Sequence, residues 1–209
     1  MSDAFGTLSH VRLTPATTYL HPPELPDRVY LDSPAVDVMT DFNHVQPRTT
    51  LPGVPVDEAL AQMKKAGVRL LVVEDESRKI VGIISSYDIQ GEAPIKLAQE
   101  SRISRSKIRV CDVMTQREQI EALNMLSVRN VQVGHIVATL RALEQRHLLV
   151  VQTDDYAEGG DDDAEPPHAG KQIVRGLFSS AQIGRQLRVD VDEVMTAAHS
   201  LAEIQRGIG

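Results

Sequence analysis

Gly82, Ser85 and Asp88 stand three residues apart, where an apolar run gives way to a polar one. A strand-to-helix turn there exposes a hydroxyl, a carboxylate and the open N–H groups of a helix's first turn. Ser85 and those N–H groups donate to an anion, while Asp88 accepts from hydroxyl groups. The same spacing recurs at Gly176, Ser179 and Gln182. In the second copy an amide replaces the carboxylate. The Gln182 amide has one acceptor oxygen where a carboxylate has two, which predicts a weaker or altered second site. A plainer account competes with this one: Asp88 caps the helix and Ser85 satisfies the turn.

Other chemistry is sparse. The histidines are His10, His21, His44, His135, His147, His168 and His199, and no two lie four apart as metal ligands on a helix do. No metal site is expected. The one cysteine, Cys111, excludes a disulfide framework and a cysteine-cluster metal site. It has no histidine near it in sequence, so an inert thiol is expected. Neither a Gly-x-x-x-x-Gly-Lys phosphate loop nor a Gly-x-Gly-x-x-Gly fingerprint occurs, and no nucleophile–base set is readable. The reading is a protein that is not an enzyme and has no catalytic residues.

The elements that position these residues come from an internal repeat. Asp37-Val38-Met39-Thr40 recurs as Asp112-Val113-Met114-Thr115, with a looser third copy at Glu193-Val194-Met195-Thr196. After the first copy, Val56, Ala59, Leu60 and Met63 fall on one helical face. Pro55 suits a first turn and Gly67 a helix stop. Val68–Val73 and Ile80–Ile84 read as paired strands across a polar hairpin, and Pro94–Glu100 reads as a second helix. In the second copy Val131–Val133 reads as a strand. Val137, Leu140, Ala142 and Leu143 read as a helix, and Leu148–Val151 and Ile173–Phe178 as a hairpin. Each unit is β-α-β-β-α, too small to bury its core alone, so two should pack together. The expected division is an extended proline-containing arm at 1–33, a first unit at 34–107, a second unit at 108–188 with an acidic hairpin loop at 154–171, and a terminal amphipathic helix at 189–209.

Together and in order, these motifs resemble a tandem pair of cystathionine-β-synthase (CBS) domains, the Bateman module, over roughly residues 34–188. The motifs carrying the resemblance are the Asp-Val-Met-Thr openings, Val56–Met63, Gly67–Asp75 and Val81–Ile89, with Leu148–Val151 and Val174–Ile183 in the second copy. The resemblance implies an α+β fold, with two units packed sheet to sheet in pseudo-twofold symmetry, and a homodimer of such pairs. It implies a regulatory module that requires no cofactor and binds AMP, ADP, ATP or S-adenosylmethionine between units. In that frame Ser85 meets a phosphate and Asp88 a ribose. Leu70 and Leu71 flank an adenine, backbone near Val45 reads its edge, and Gly82 shapes the turn. Gly176, Ser179 and Gln182 form the departing second site.

Composition narrows the alternatives. The chain has 209 residues, 42% of them hydrophobic and 3% aromatic, so its core is aliphatic. No apolar run is long enough for a bilayer, and a secretory leader is not expected, so a cytoplasmic setting is read. Net charge is −7, but seven acids lie between Asp154 and Glu165, and outside that stretch acids and bases balance. A broad basic face for nucleic acid is therefore not expected. The small cluster Arg102, Arg105, Lys107 and Arg109 leaves a nucleic-acid binder as one alternative. A ligand-free structural or adaptor dimer is the other. The regulated protein partner is not legible.

Overall fold

The computed structural model describes residues 14–15, 25–154 and 171–196. A 3-10 turn at Ala35–Val38 leads into β1 (Thr40–Asp41) and β2 (Thr49–Thr50). Then come α1 (Val56–Ala66), β3 (Leu70–Glu74), β4 (Ile80–Ser85), α2 (Ser86–Gln90) and α3 (Glu92–Glu100). The second half holds α4 (Val110–Val113), β5 (Thr115–Gln116), β6 (Ala122–Asn124), α5 (Met125–Val128) and α6 (Val133–Ala142). It ends with β7 (His147–Asp154), β8 (Lys171–Ser179), α7 (Ser180–Leu187) and α8 (Val191–Met195). The fold is α+β, with two four-stranded sheets.

The strands are ordered β2-β3-β4-β5 in one sheet and β1-β8-β7-β6 in the other. Each sheet therefore borrows its edge strand from the opposite repeat. Thr40 and Asp41 pair antiparallel with Leu177 and Gly176, while Thr115 and Gln116 pair antiparallel with Ile83 and Gly82. The exchange extends upstream of the strands. Val110 N–H donates to Val54 O (2.9 Å) and Val56 N–H to Ile108 O (3.1 Å). In the other half Ala35 N–H donates to Val131 O and Val133 N–H to Ser33 O, both 2.9 Å. The opening Val-Met pairs follow the strands. Val38 and Met39 lie in the core with Phe178 and Leu148, whereas Val113 and Met114 pack on the core of Val56, Ile84 and Ile89. The sequence repeats at 34–107 and 108–188 thus differ from the packing units.

Two glycines show why the exchanged strands fit. A Cβ on Gly82 would stand 2.6 Å from Thr115 O, and one on Gly176 would stand 2.8 Å from Thr40 O. Both distances are shorter than real Cβ contacts, so only glycine lets the borrowed backbone approach this closely.

α1 forms where the apolar spacing predicts. Val56, Ala59 and Met63 are its buried face, acids sit in its first turn and Lys64 and Lys65 in its last. Pro55 is its N-cap residue, one position before the first turn, and Gly67 ends it at φ +66°. The Val131–Val133 strand is not formed. Val131 follows the turn at Arg129 and Asn130, and Val133 opens α6, whose buried face Val133, Ile136, Val137 and Leu140 has helical spacing. The parallel partner of β7 is instead β6. Of the arm, residues 25–33 pack on this chain's own second unit: Val29 and Leu31 are buried there. The buried Gln186 amide donates to Pro26 O (2.7 Å) and Asp37 O (3.0 Å), tying arm and opening turn together. Of the expected terminal helix, α8 is formed with Val194 buried. The rest of the arm, residues 155–170 of the acidic loop and residues 197–209 lie outside the described residues.

All of Leu70–Val73 is buried, because both faces of β3 are covered. Leu71 and Val73 face the helices, within the first core. Leu70 and Val72 face the other unit, across a cleft whose far wall includes Leu177 of β8 and His147 of β7. This cleft between sheets is where functional side chains from both halves meet.

Candidate functional site

The cleft has a volume of about 470 Å³, within the range of small-molecule sites. One wall comes from the first unit: Val45, Arg48, Gly67, Arg69, Leu70 and Val72. The other comes from β7, β8 and α7 of the second: His147, Leu177, Ser179, Ala181, Gln182 and Arg185. Thr40 and Phe42, in and after the borrowed strand β1, join them. Among the described lining residues there are three arginines and no Asp or Glu.

The sequence-predicted residues are redistributed. Val45 and Leu70, assigned to the first site, line this cleft beside Ser179 and Gln182 of the second. Ser85 and Asp88 do not line it. Ser85 N–H donates to Asp88 Oδ2 at 2.7 Å, Ser85 Oγ donates to the same oxygen at 2.8 Å, and Asp88 N–H donates to Ser85 Oγ at 3.3 Å. That is a closed capping box at the start of α2. Leu71 is core. Gly82 and Gly176 serve the strand exchange. Of the six residues of the first site, Val45 and Leu70 line the described cleft and the other four do not. The reason is topological: each cleft wall pairs the first strands of one repeat with the closing turn of the other.

The two closing turns are superposable in role. Leu70 pairs with Ser85 across β3 and β4, and His147 pairs with Ser179 across β7 and β8. Ser86 N–H donates to Arg69 O, as Ser180 N–H donates to Arg146 O, both at 2.9 Å. His147 is thus the counterpart of Leu70, and Gln182 the counterpart of Asp88. Sequence reading missed His147, because a histidine opening an apolar strand run carries no ligand signal of its own. The alignment of Arg69-Leu70-Leu71-Val72-Val73 with Arg146-His147-Leu148-Leu149-Val150 is the signal that finds it.

Gln182 is committed. Thr40 Oγ1 donates to its Oε1 at 3.0 Å, which leaves its amide N–H groups as donors. No side chain caps α7. Burial, with Arg69 and Arg146 adding like charge, pushes the His147 pKa down to about 4. The ring is neutral near pH 7, and among the described residues nothing hydrogen-bonds to it. Arg69 Nη1 donates to Tyr87 Oη at 3.0 Å. The Arg146 guanidinium stacks 4.4 Å from the Tyr87 ring centre and lies 3.5 Å from Asp192 Oδ1 of α8. The Arg69, Tyr87, Arg146 and Asp192 chain links first unit to second beside the cleft.

The basic cluster at 102–109 does not form one free patch. Arg105 donates to Asp57 Oδ1 (3.0 Å) and Ile89 O (2.8 Å), holding the linker to the first unit. Cys111 is exposed, and burial of its thiol together with Asp112 raises its pKa, which disfavours the reactive thiolate. Among the described residues no group of three His, Cys, Asp or Glu could hold a metal. No described helix is long and apolar enough to cross a membrane.

Comparison with known proteins places this architecture. Residues 35–93 match the family model of the CBS domain. No curated protein matches the chain. A solved structure described as an uncharacterized conserved protein from Pyrococcus horikoshii is 18% identical. The match covers 78% of this chain and 97% of that one, with a TM-score of 0.50. The CBS-pair protein CBSX2 of Arabidopsis thaliana, solved in complex with AMP, is 20% identical. That match covers 73% of this chain and 94% of the other, with a TM-score of 0.44. The matched first unit is a CBS domain, and the second unit repeats its β-α-β-β-α order.

Proposed function

We propose that this protein is a non-catalytic regulatory module that binds an adenosyl compound, an adenine nucleotide or S-adenosylmethionine, between its two CBS units. The observation that carries this reading is the inter-unit cleft. Both units and the borrowed strand β1 contribute its walls, so a ligand there contacts every part that could move. A ligand shifts an arrangement only by binding one form better than another. A site shared by two units meets that requirement directly. The module acts in the cytoplasm as a homodimer and passes the signal to a partner protein.

A thermal-shift panel with AMP, ADP, ATP and S-adenosylmethionine tests it. A ligand at about 100 times its Kd adds roughly 2.7 kcal/mol. A raised Tm with at least one compound is expected. No shift with any of the four would overturn the reading and leave the adaptor dimer. That second reading draws support from the Ser85–Asp88 capping box, which uses for structure the groups a ligand would need at that turn.

A further inference from the structure

We infer that α8 is a strap whose hold on the body reports occupancy of the cleft: a ligand between the units fixes it in place, and without one it opens locally ahead of the rest of the second unit. The inference rests on the cleft being the ligand site and adds the element that binding there acts on.

α8 has five residues, too few to persist as a helix by itself. Its position therefore depends on what it touches. Val194 enters the second core, and among the described side chains of α8 it alone is buried. Arg141 of α6 donates from Nε to Val194 O at 2.7 Å. Gly184 lets α8 lie close on α7, since a Cβ there would stand 3.1 Å from Val189 O and 3.6 Å from Cγ2 of Val191 and of Val194. The Asp190 carboxylate caps the start, accepting from Asp192 N–H at 2.9 Å. An element with one buried apolar side chain opens at a lower free energy than the whole fold.

Two further contacts tie this weakly held element to the cleft. Val191 is part-buried and lines the cleft directly. Asp192 reaches it through a chain of side chains. Asp192 Oδ1 lies 3.5 Å from Arg146 Nη2, and the Arg146 guanidinium stands 4.4 Å from the Tyr87 ring centre. Tyr87 Oη accepts from Arg69 Nη1 at 3.0 Å, and Arg69 lines the cleft. Tyr87 is the joint: its ring face holds one guanidinium and its hydroxyl the other. The Asp192 side chain is 79% exposed, and an ion pair so open to water is weak. It is a latch that small changes can shift. A ligand in the cleft covers Val191 and confines Arg69. With Arg69 confined, ordering Tyr87 and Arg146 costs less entropy, so the pair with Asp192 tightens. The form with α8 in place binds ligand better than the open form, because the open form lacks Val191.

The test is amide hydrogen exchange by mass spectrometry on the full chain, alone and with each of AMP, ADP, ATP and S-adenosylmethionine at a concentration that saturates its Tm shift. Without ligand, residues 191–196 are expected to exchange faster than β3; exchange as slow as that of β3 would overturn the strap. With a compound that raises Tm, exchange at 191–196 should slow at least tenfold, and Val191→Ala should reduce that gain. Unchanged exchange there alongside a raised Tm would overturn the inference and leave the proposed function standing. No Tm shift with any of the four would overturn both. The chain of side chains is tested without ligand. Asp192→Asn and Tyr87→Leu should each speed exchange at 191–196 by roughly two- to fivefold, as loss of a weak exposed pair does, with β3 unaltered. The double variant should exchange no faster than Tyr87→Leu alone, because both break one chain. Tyr87→Leu without effect on α8, or two effects that multiply, would overturn the link from Arg69 to Asp192.

Discussion

Gly82→Ala tests the strand exchange at its tightest point. The new methyl would lie 2.6 Å from the Thr115 carbonyl oxygen and 2.8 Å from Met114 Sδ. The thioether is flexible and could swing aside. The carbonyl belongs to β5, whose hold on the sheet is its two-residue pairing with Ile83 and Gly82, so relief there means withdrawing the strand. Overpacking of this kind costs about 1–3 kcal/mol. For a chain of this size each kcal/mol lowers Tm by about 2–4 °C, so a fall of roughly 2–12 °C is expected. Gly53→Ala is the control, because no atom lies within 4 Å of a Cβ there. Its Tm should hold or rise slightly, as the added methyl restricts the unfolded chain. Both are read by circular dichroism melts under the same conditions. Gly82→Ala melting with the wild type would refute the close approach, and with it the reason given for glycine at 82 and 176.

Three further outcomes are expected. His147 is held neutral, with a folded-state pKa of about 4 against 6.5 unfolded, so the unfolded chain takes up the proton first as pH falls. Stability is full above about pH 6.5, and about 2 kcal/mol is lost by about pH 5; urea melts should show that slope in the wild type and not in His147→Leu. Asp88→Ala removes the α2 capping box and should cost about 1 kcal/mol in the same melts, while AMP affinity by calorimetry stays unchanged; affinity falling with it would move the ligand to that turn. Asp41→Asn breaks the ion pair with the largely buried Arg175 on β8 and should cost about 1–3 kcal/mol in chemical denaturation, a neutral result refuting the clamp on β1.

Much of the architecture was legible because it lies in local patterns. The Val56–Met63 spacing and the Gly67 stop mark α1, and the two apolar runs around 74–79 mark a hairpin. The repeated Asp-Val-Met-Thr marks two units. The exchange was not legible, since β1, β2 and β5 are two residues long, too short to show alternation. The Val131–Val133 run misled because Val133 begins the helical stripe of α6 while Gln132 makes an isolated bridge to Pro34. The site followed the same pattern. Ser85, Asp88, Ser179 and Gln182 were found as residue types at the right turns. Their grouping differs from the lining of the described cleft: sequence adjacency put Val45 and Leu70 with Ser85, whereas the cleft puts them with Ser179. His147 became visible only when the cross-strand partners of Ser85 and Ser179 were set side by side.

The borrowed strands also constrain how the chain is made. β1 is among the first segments to leave the ribosome, yet its partner β8 is synthesised near the end. Until then Val38 and Met39 have no core to enter. The first unit closes earlier, once β5 emerges beside β4. Non-local pairing of this kind slows folding, since the loop entropy is lost before the contact is gained. A fragment cut to residues 35–93, the span that matches the family model, would hold β1 without β8 and β4 without β5. The smallest independently heritable piece of this protein is therefore the interlocked pair, and evolution by shuffling single units would have to move both halves at once.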